Sequence, residues 1–183
     1  MLSPKMQTEL IQKLFNKFIN RFRYFFNSCE VGFRNEFIIY MYARKHTAGS
    51  TIQSYGKEAD EVVFVIDGQV DLYSKPGLEG VKFMQLPVDS IFNDYQLIYN
   101  LKSNIDYRGH TPVYENESQF QKGNVTNTMN LASEKFAELL DLYPQTATNL
   151  KLRALEKRSI FMYYKNKACV RKKLRENVRG KLR

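Results

Sequence analysis

Apolar residues recur at four-residue steps near the start of the chain. Leu10, Leu14, Phe18 and Phe22 fall on one line, and Ile11, Phe15 and Ile19 widen it. This spacing predicts an amphipathic helix. Ser3-Pro4 is its start, because proline is preset for the first helical turn. A second helix is predicted over Phe33–Tyr42, so the first 45 residues read as helical. The pattern changes at Ala48-Gly49. From there to Phe92 the segments STIQSYG, EVVFVIDGQVDLYS and VKFMQL are short apolar or alternating runs punctuated by glycines. They predict strands. Asp67-Gly68 predicts a tight hairpin between VVFVI and QVDLY, and Pro76-Gly77 a second turn.

Residues 92–104, FNDYQLIYNLKSN, read as a strand end, a tight turn and a short helix. A strand follows near Ile105–Gly109, then a polar loop to residue 124, then a last strand in VTNTMNL, 125–131. Ser133 is the expected cap of a helix with Phe136, Leu139 and Leu140 on one face. Leu142-Tyr143-Pro144 interrupts it. Beyond the break, Ala147, Leu150, Ala154, Phe161 and Tyr164 keep helical spacing, predicting a long helix that runs into the C-terminal tail. The predicted fold class is therefore α+β: an antiparallel, jelly-roll-like β-roll flanked by N-terminal and C-terminal helices. Its expected divisions are N-terminal helices over 1–45, the roll with its short helices over 46–143, and the last helix and tail over 144–183.

The chain has 183 residues, 43% hydrophobic and 14% aromatic, which is enough to fill a core. No apolar run is long enough for a membrane span, and the N-terminus lacks the apolar region of a signal peptide. The net charge of +9 gathers in RKKLRENVRGKLR, Arg171 to Arg183. That tail reads either as a solvated helix end or as a contact for an anionic membrane surface or an acidic protein. RFRYFF and FMYYK mix rings with cations, as single-strand readers do. Both lie in predicted helices, where packing explains the rings, so nucleic acid is not an expected partner.

Candidate chemistry is sparse. Cys29 and Cys169 are far apart and read as free thiols. His46 and His110 have no Cys, Asp or His at ligand spacing. Asp94 and Asp106 lack a third group for catalysis, and Ser50 and Ser133 lack a nucleophile signature. There is no Walker loop and no GxGxxG. The expectation is a protein that is not an enzyme and holds no metal.

An ordered set of residues narrows the reading. Ala48-Gly49, Ile52, Gly56, Asp60, Phe64-Val65-Ile66, Gly68 and Val70, then FNDYQLIY at 92–99, then Phe136, Leu139-Leu140 and Tyr143-Pro144 resemble the cyclic nucleotide-binding domain family in order and spacing. The resemblance covers roughly Leu2 to Arg158. LSPKMQTELI and RFRYFF resemble, more loosely, the linker that precedes this domain in voltage-gated potassium and cyclic nucleotide-gated channels.

The family binds a cyclic phosphate on backbone N–H groups of a short cassette. A glutamate after the turn glycine holds the ribose, and an arginine further on pairs with the phosphate. On that scheme Phe92 fits, Asn93 stands for the glycine and Asp94 for the glutamate. Tyr95 and Gln96 open the short helix, Ser103 takes the place of the arginine, and Lys102 is the adjacent cation. The resemblance thus implies a degenerate ligand site, with cAMP or cGMP bound at low affinity if at all and no other cofactor. It implies a regulatory or interaction module of an intracellular kind, on the cytosolic side. Its partners would be channel subunits or another protein, or further copies of itself, with membrane association through a parent channel or complex. The alternative is a standalone structural subunit that uses the same fold as a docking block.

Overall fold

The structure, a computed structural model, describes residues 13, 15–74, 80–110 and 125–181. Helical turns over 15–21 lead into α1 (Arg23–Phe26) and α2 (Val31–Ile39). The strands that follow among the described residues are β1 (Tyr42–Thr47), β2 (Thr51–Gln53), β3 (Glu61–Asp67), β4 (Val70–Tyr73), β5 (Lys82–Leu86), β6 (Ile91–Phe92), β7 (Asp106–Gly109) and β8 (Val125–Ala132). The short helix α3 (Asp94–Ile98) sits between β6 and β7, and α4 (Ser133–Leu142) and α5 (Pro144–Lys181) end the chain. The strands form two antiparallel sheets, in the orders β1-β8-β3-β6 and β2-β7-β4-β5. This is the α+β roll with helices at both ends that the sequence predicts.

β3 explains why the roll and the helices make one body. Its sequence EVVFVID is buried continuously from Glu61 to Val65. Successive side chains of a strand point to opposite faces. Val63 and Val65 join Val70, Leu72, Phe92 and Tyr107 in the core between the sheets. Val62 and Phe64 face the other way, into a core built with Phe22, Phe25, Phe26, Phe33, Phe37, Phe136 and Leu139. The Phe64 ring lies 5.0 Å from Phe22, 5.4 Å from Phe25 and 5.7 Å from Phe37, each close to edge-on, an arrangement that aromatic quadrupoles favour.

Three sequence expectations change. β1 begins at Tyr42, inside the segment expected to be helical, and α2 stops at Ile39. YARKHT has no apolar alternation and is mostly exposed. It is held as an edge strand by its ladder to β8, from Tyr42↔Asn130 to Thr47↔Val125. Second, Asp67-Gly68 does not close a hairpin. β3 pairs with β6 and β8, whereas β4 pairs with β5 and β7, so the turn carries the chain from one sheet to the other. Gly68 has φ +79, and a Cβ there would lie 2.8 Å from the Val125 carbonyl oxygen, so only glycine suits the crossing. Third, Ser133 is the first residue of α4 and makes no cap bond. Its N–H instead donates to the Asp60 carbonyl at 2.8 Å. Tyr164 keeps its expected place in the long helix and is 45% exposed. Ser3-Pro4, Leu10, Ile11 and Leu14 of the first predicted helix, the Pro76-Gly77 turn and the loop over 111–124 lie outside the described residues.

The break at Tyr143 is where the C-terminal helix is fixed. Pro144 opens α5. Thr146 donates from its N–H to Glu30 Oε2 at 3.0 Å, and its Oγ1 accepts the Glu30 N–H at 2.9 Å. Tyr143 Oη donates to Glu36 at 2.7 Å. α5 therefore starts pinned to α2 and then runs along the roll. Leu150 and Ala154 are buried against it.

Phe64→Ala should cost about 3–5 kcal/mol, read as a lowered urea midpoint. A loss under about 1 kcal/mol would show that the helical core does not depend on this ring. The two thiols should also separate. Cys29 is buried, its Sγ donates to the Phe25 carbonyl at 3.3 Å, and burial pushes its pKa up to about 12. Cys169 is part-exposed. A thiol reagent at pH 8 should label Cys169 in the native protein and Cys29 only after denaturation.

Candidate functional site

The segment after β6 turns on one residue. Asn93 has φ +68 and ψ −11, a left-handed conformation, and is 2% exposed. Asparagine tolerates this region better than most residues other than glycine. Its side chain also holds the turn in place. Nδ2 donates to the Glu61 carbonyl at 3.1 Å and to Gln53 Oε1 at 3.3 Å. The turn is thereby tied to β3 and to β2, and α3 is aimed back along the roll.

A cavity of about 200 Å³ opens beside it, lined by Phe92, Asn93, Asp94, Tyr95, Gln96, Lys102, Tyr107 and residues of α5. Six of the seven residues singled out from the sequence thus meet at one hollow. The seventh, Ser103, does not line it. It is 1% exposed, and its Oγ donates to the Ile105 carbonyl at 2.7 Å. Its backbone is tied to the β2–β3 loop: Ser103 N–H donates to the Lys57 carbonyl at 2.8 Å, and Gly56 N–H donates to the Ser103 carbonyl at 2.7 Å. It serves the loop rather than the hollow.

The floor is aromatic. Phe92 stacks on Tyr107 with centroids 4.4 Å apart and planes 9° from parallel. Tyr107 is 1% exposed, and burial raises its phenol pKa above the usual range, opposed by a hydrogen bond with Gln96. The phenol is a neutral group at any ordinary pH. Gln96, itself buried, thus has a partner within the fold.

The roof is α5, which brings charge that the sequence reading did not place here. Lys157 Nζ pairs with Asp94 Oδ1 at 2.8 Å and also donates to the Ile91 carbonyl. Arg158 lines the cavity and lies 5.1 Å from the Tyr95 ring centroid. Phe161 and Met162 complete the wall. Further along, Lys165 Nζ donates to the Asn104 carbonyl at 2.7 Å, and its pKa is lowered by desolvation. Tyr99 Oη donates to the Lys151 carbonyl at 3.0 Å. One signal in the sequence does point to Lys157. It falls between Ala154 and Phe161, at three- and four-residue steps on the buried stripe, where a lysine is out of place without a partner.

His46 and His110, by contrast, are used structurally. His46 Nε2 meets Thr128 Oγ1 at 3.1 Å, and His110 Nδ1 meets the Asp71 carboxylate at 3.0 Å. Asp106 is held by Arg108 at 2.6 Å, and Asp94 and Asp106 are paired with different cations rather than with each other. Among the described residues no group of three His, Cys, Asp or Glu is placed to hold a metal.

The fold has known counterparts. The regulatory domain of Toxoplasma gondii PKA, in co-crystal with cAMP, superposes with a TM-score of 0.61 at 14% identity, over 79% of this chain and 49% of that one. The chain has the cyclic nucleotide-binding domain fold. PfPKA-R with cAMP bound gives 0.51 at 17% identity over 63% of this chain and 36% of that one. The C-linker/CNBHD of zELK channels, crystallized in the presence of cAMP, gives 0.58 at 14% identity over 72% and 60%. In each case the chain spans less than two thirds of the other's length. By sequence it matches no family model and no curated protein. The likeness carries the fold, and Phe92 to Tyr99 is placed at the cassette position of that fold only by the sequence resemblance given above.

Asn93→Ala and Asn93→Gly separate the two roles of this residue. Both lose the bonds to Gln53 and Glu61, worth about 1 kcal/mol each. Only alanine adds the left-handed penalty of about 1–2 kcal/mol. Alanine should therefore lower the urea unfolding free energy by that much more than glycine. Equal effects would mean that the turn's backbone conformation is not the constraint.

Proposed function

We propose that the chain is a non-enzymatic regulatory and interaction module, like the cytosolic gating domain of a potassium channel, whose cassette does not bind cAMP or cGMP tightly and is closed by its own C-terminal helix. The observation that carries this reading is the contact of Lys157 Nζ with Asp94 Oδ1 at 2.8 Å. By resemblance, Asp94 is the carboxylate that would hold a ribose hydroxyl. Here it is already engaged by a cation from α5.

Three further features support the reading. The cavity of about 200 Å³ is smaller than the roughly 300–1,000 Å³ of ordinary small-molecule sites. Ser103, in the family's arginine position, is turned into the fold. Lys102 and Arg158 do line the hollow. Both are exposed, however, so their attraction for a phosphate is screened by solvent. A module of this kind works mechanically. The pinned start of α5 and its contact at Asp94 set where the rest of the helix points. Any load on α5 or on the N-terminal helices is felt at the other through Glu30 and Thr146.

The docking-block alternative has its own support. α5 exposes Leu152, Leu155, Ile160, Tyr163 and Val170, and its acids are Glu156 and Glu176 against basic residues at nearly every turn. Such a helix suits an acidic protein partner, a channel subunit or an anionic surface. No helix among the described residues is long and apolar enough to cross a membrane.

Calorimetric titration with cAMP and cGMP to millimolar concentration should give no saturable heat. Micromolar binding would overturn the closed-cassette reading and make the module a nucleotide sensor. Lys157→Met should raise amide hydrogen exchange over residues 150–165 while leaving β3 and β8 protected. Unchanged exchange in α5 would mean that this ion pair does not hold the helix.

A further inference from the structure

A second hollow lies on the other side of Lys157. It is walled by the N-terminal helical turns (Arg21, Phe22, Tyr24, Phe25), by the segment Leu86 to Ile91 and by α5 (Leu150, Arg153, Ile160, Phe161). Its volume of about 350 Å³ falls within the usual range for small-molecule sites, roughly 300–1,000 Å³. Phe22, Phe25 and Leu150 on its floor belong to the core, while Ile160 at its lip is 56% exposed. The body of the hollow is therefore apolar.

The charges around it do not cancel. Arg21 is paired with Asp89, and Lys157 with Asp94. Arg153 has no carboxylate partner among the described residues. Its Nη1 reaches the Phe25 carbonyl at 3.4 Å, and its guanidinium lies 5.0 Å from the Tyr24 ring centroid. One cation with a planar fork of donors thus overlooks an apolar hollow whose own acids are both engaged.

We propose that this hollow is a second ligand site, for a small amphipathic anion: an aromatic or short aliphatic carboxylate or sulfonate. Its apolar body lies against Phe22, Phe25, Leu150 and Phe161, and its head pairs with Arg153. A sugar phosphate suits the hollow poorly, since its hydroxyls would meet aromatic rings, and the two carboxylates that could accept from them already have partners. A bound molecule touches the N-terminal helices and α5 together, and it lies against Lys157, whose ion pair walls the first cavity. Occupancy therefore stiffens the junction between the two ends of the chain. The site stands whether or not the first cavity takes a nucleotide.

The test is a fluorescence titration of the full chain with two probes, 8-anilinonaphthalene-1-sulfonate and N-phenyl-1-naphthylamine. They share a ring system and differ in the sulfonate. The sulfonate should bind saturably at one site per chain and about tenfold more tightly than the neutral probe, the worth of one charge-assisted contact. Arg153→Gln should weaken the sulfonate by about tenfold and leave the neutral probe unchanged. Arg153→Lys should retain most of the sulfonate affinity, and Arg158→Gln, in the other cavity, all of it. Leu150→Trp should abolish both probes by filling the hollow, with circular dichroism and the urea midpoint showing each variant folded. The proposal is overturned if the two probes bind equally, if Arg153→Gln leaves the sulfonate unaffected, or if Arg158→Gln is the variant that removes it.

Discussion

The alternation of β3 is the constraint on which the rest of this structure depends. One strand of seven residues supplies both cores, Val63 and Val65 to the roll and Val62 and Phe64 to the helices. A shift of register by one residue would exchange these sets. Phe64 would then enter the space between the sheets, where Phe92 and Tyr107 are already stacked. β3 is also central in its sheet, flanked by β8 and β6, so both of its edges are hydrogen-bonded and its register is fixed from each side. The helices that build the site inherit their positions from this strand. α1 and α2 pack on Phe64, α4 follows directly from β8, and α5 is pinned to α2 through Glu30, Thr146 and Tyr143.

The placement of α5 decides the electrostatics of the cassette. Asp94 is 8% exposed, and a buried carboxylate without a counter-charge is costly. The short helix α3 cannot supply that charge, since it contains no basic residue. It comes from Lys157, sixty-three residues later in sequence. The same lysine satisfies the Ile91 carbonyl at the end of β6. The pair therefore joins strand, cassette and C-terminal helix at one point. A partly buried ion pair adds little net stability, but breaking it leaves Asp94 uncompensated, so it favours one position of α5 over others.

Much of this was legible in the chain. The glycine-punctuated strands, the buried run EVVFVID and the break at Tyr143-Pro144 carry their geometry in local pattern, and the roll with helices at both ends follows from them. Six of the seven candidate site residues line one cavity because they are nearly contiguous, and Ser103 is turned away from it. What was not legible is pairing between distant segments. YARKHT lacks apolar alternation, and only β8 makes it a strand. Asp67-Gly68 has the chemistry of a hairpin turn, yet which strands pair is set by the whole roll and not by the turn. Ser133 has the chemistry of a cap, but Asp60 takes its N–H. The hardest feature was the charge of the site. Residues 92–104 read alone offer Lys102 as their one cation, with Ser103 beside it. The cations that line the cavity come from Lys102 beside it and from Lys157 and Arg158 on a helix whose position depends on α2.

The two cavities are best understood as the two sides of one ion pair. Asp94 and Lys157 line both, so neither hollow can change shape without moving the contact between them. The first hollow is small, with an aromatic floor and exposed cations at its rim. The second is larger and apolar, and Arg153 beside it has no carboxylate partner among the described residues. A ligand that enters either one stabilises whichever position of α5 it contacts best, and by linkage alters the affinity of the other. The contact of Lys157 with Asp94 is therefore the point at which a change on either side reaches α5.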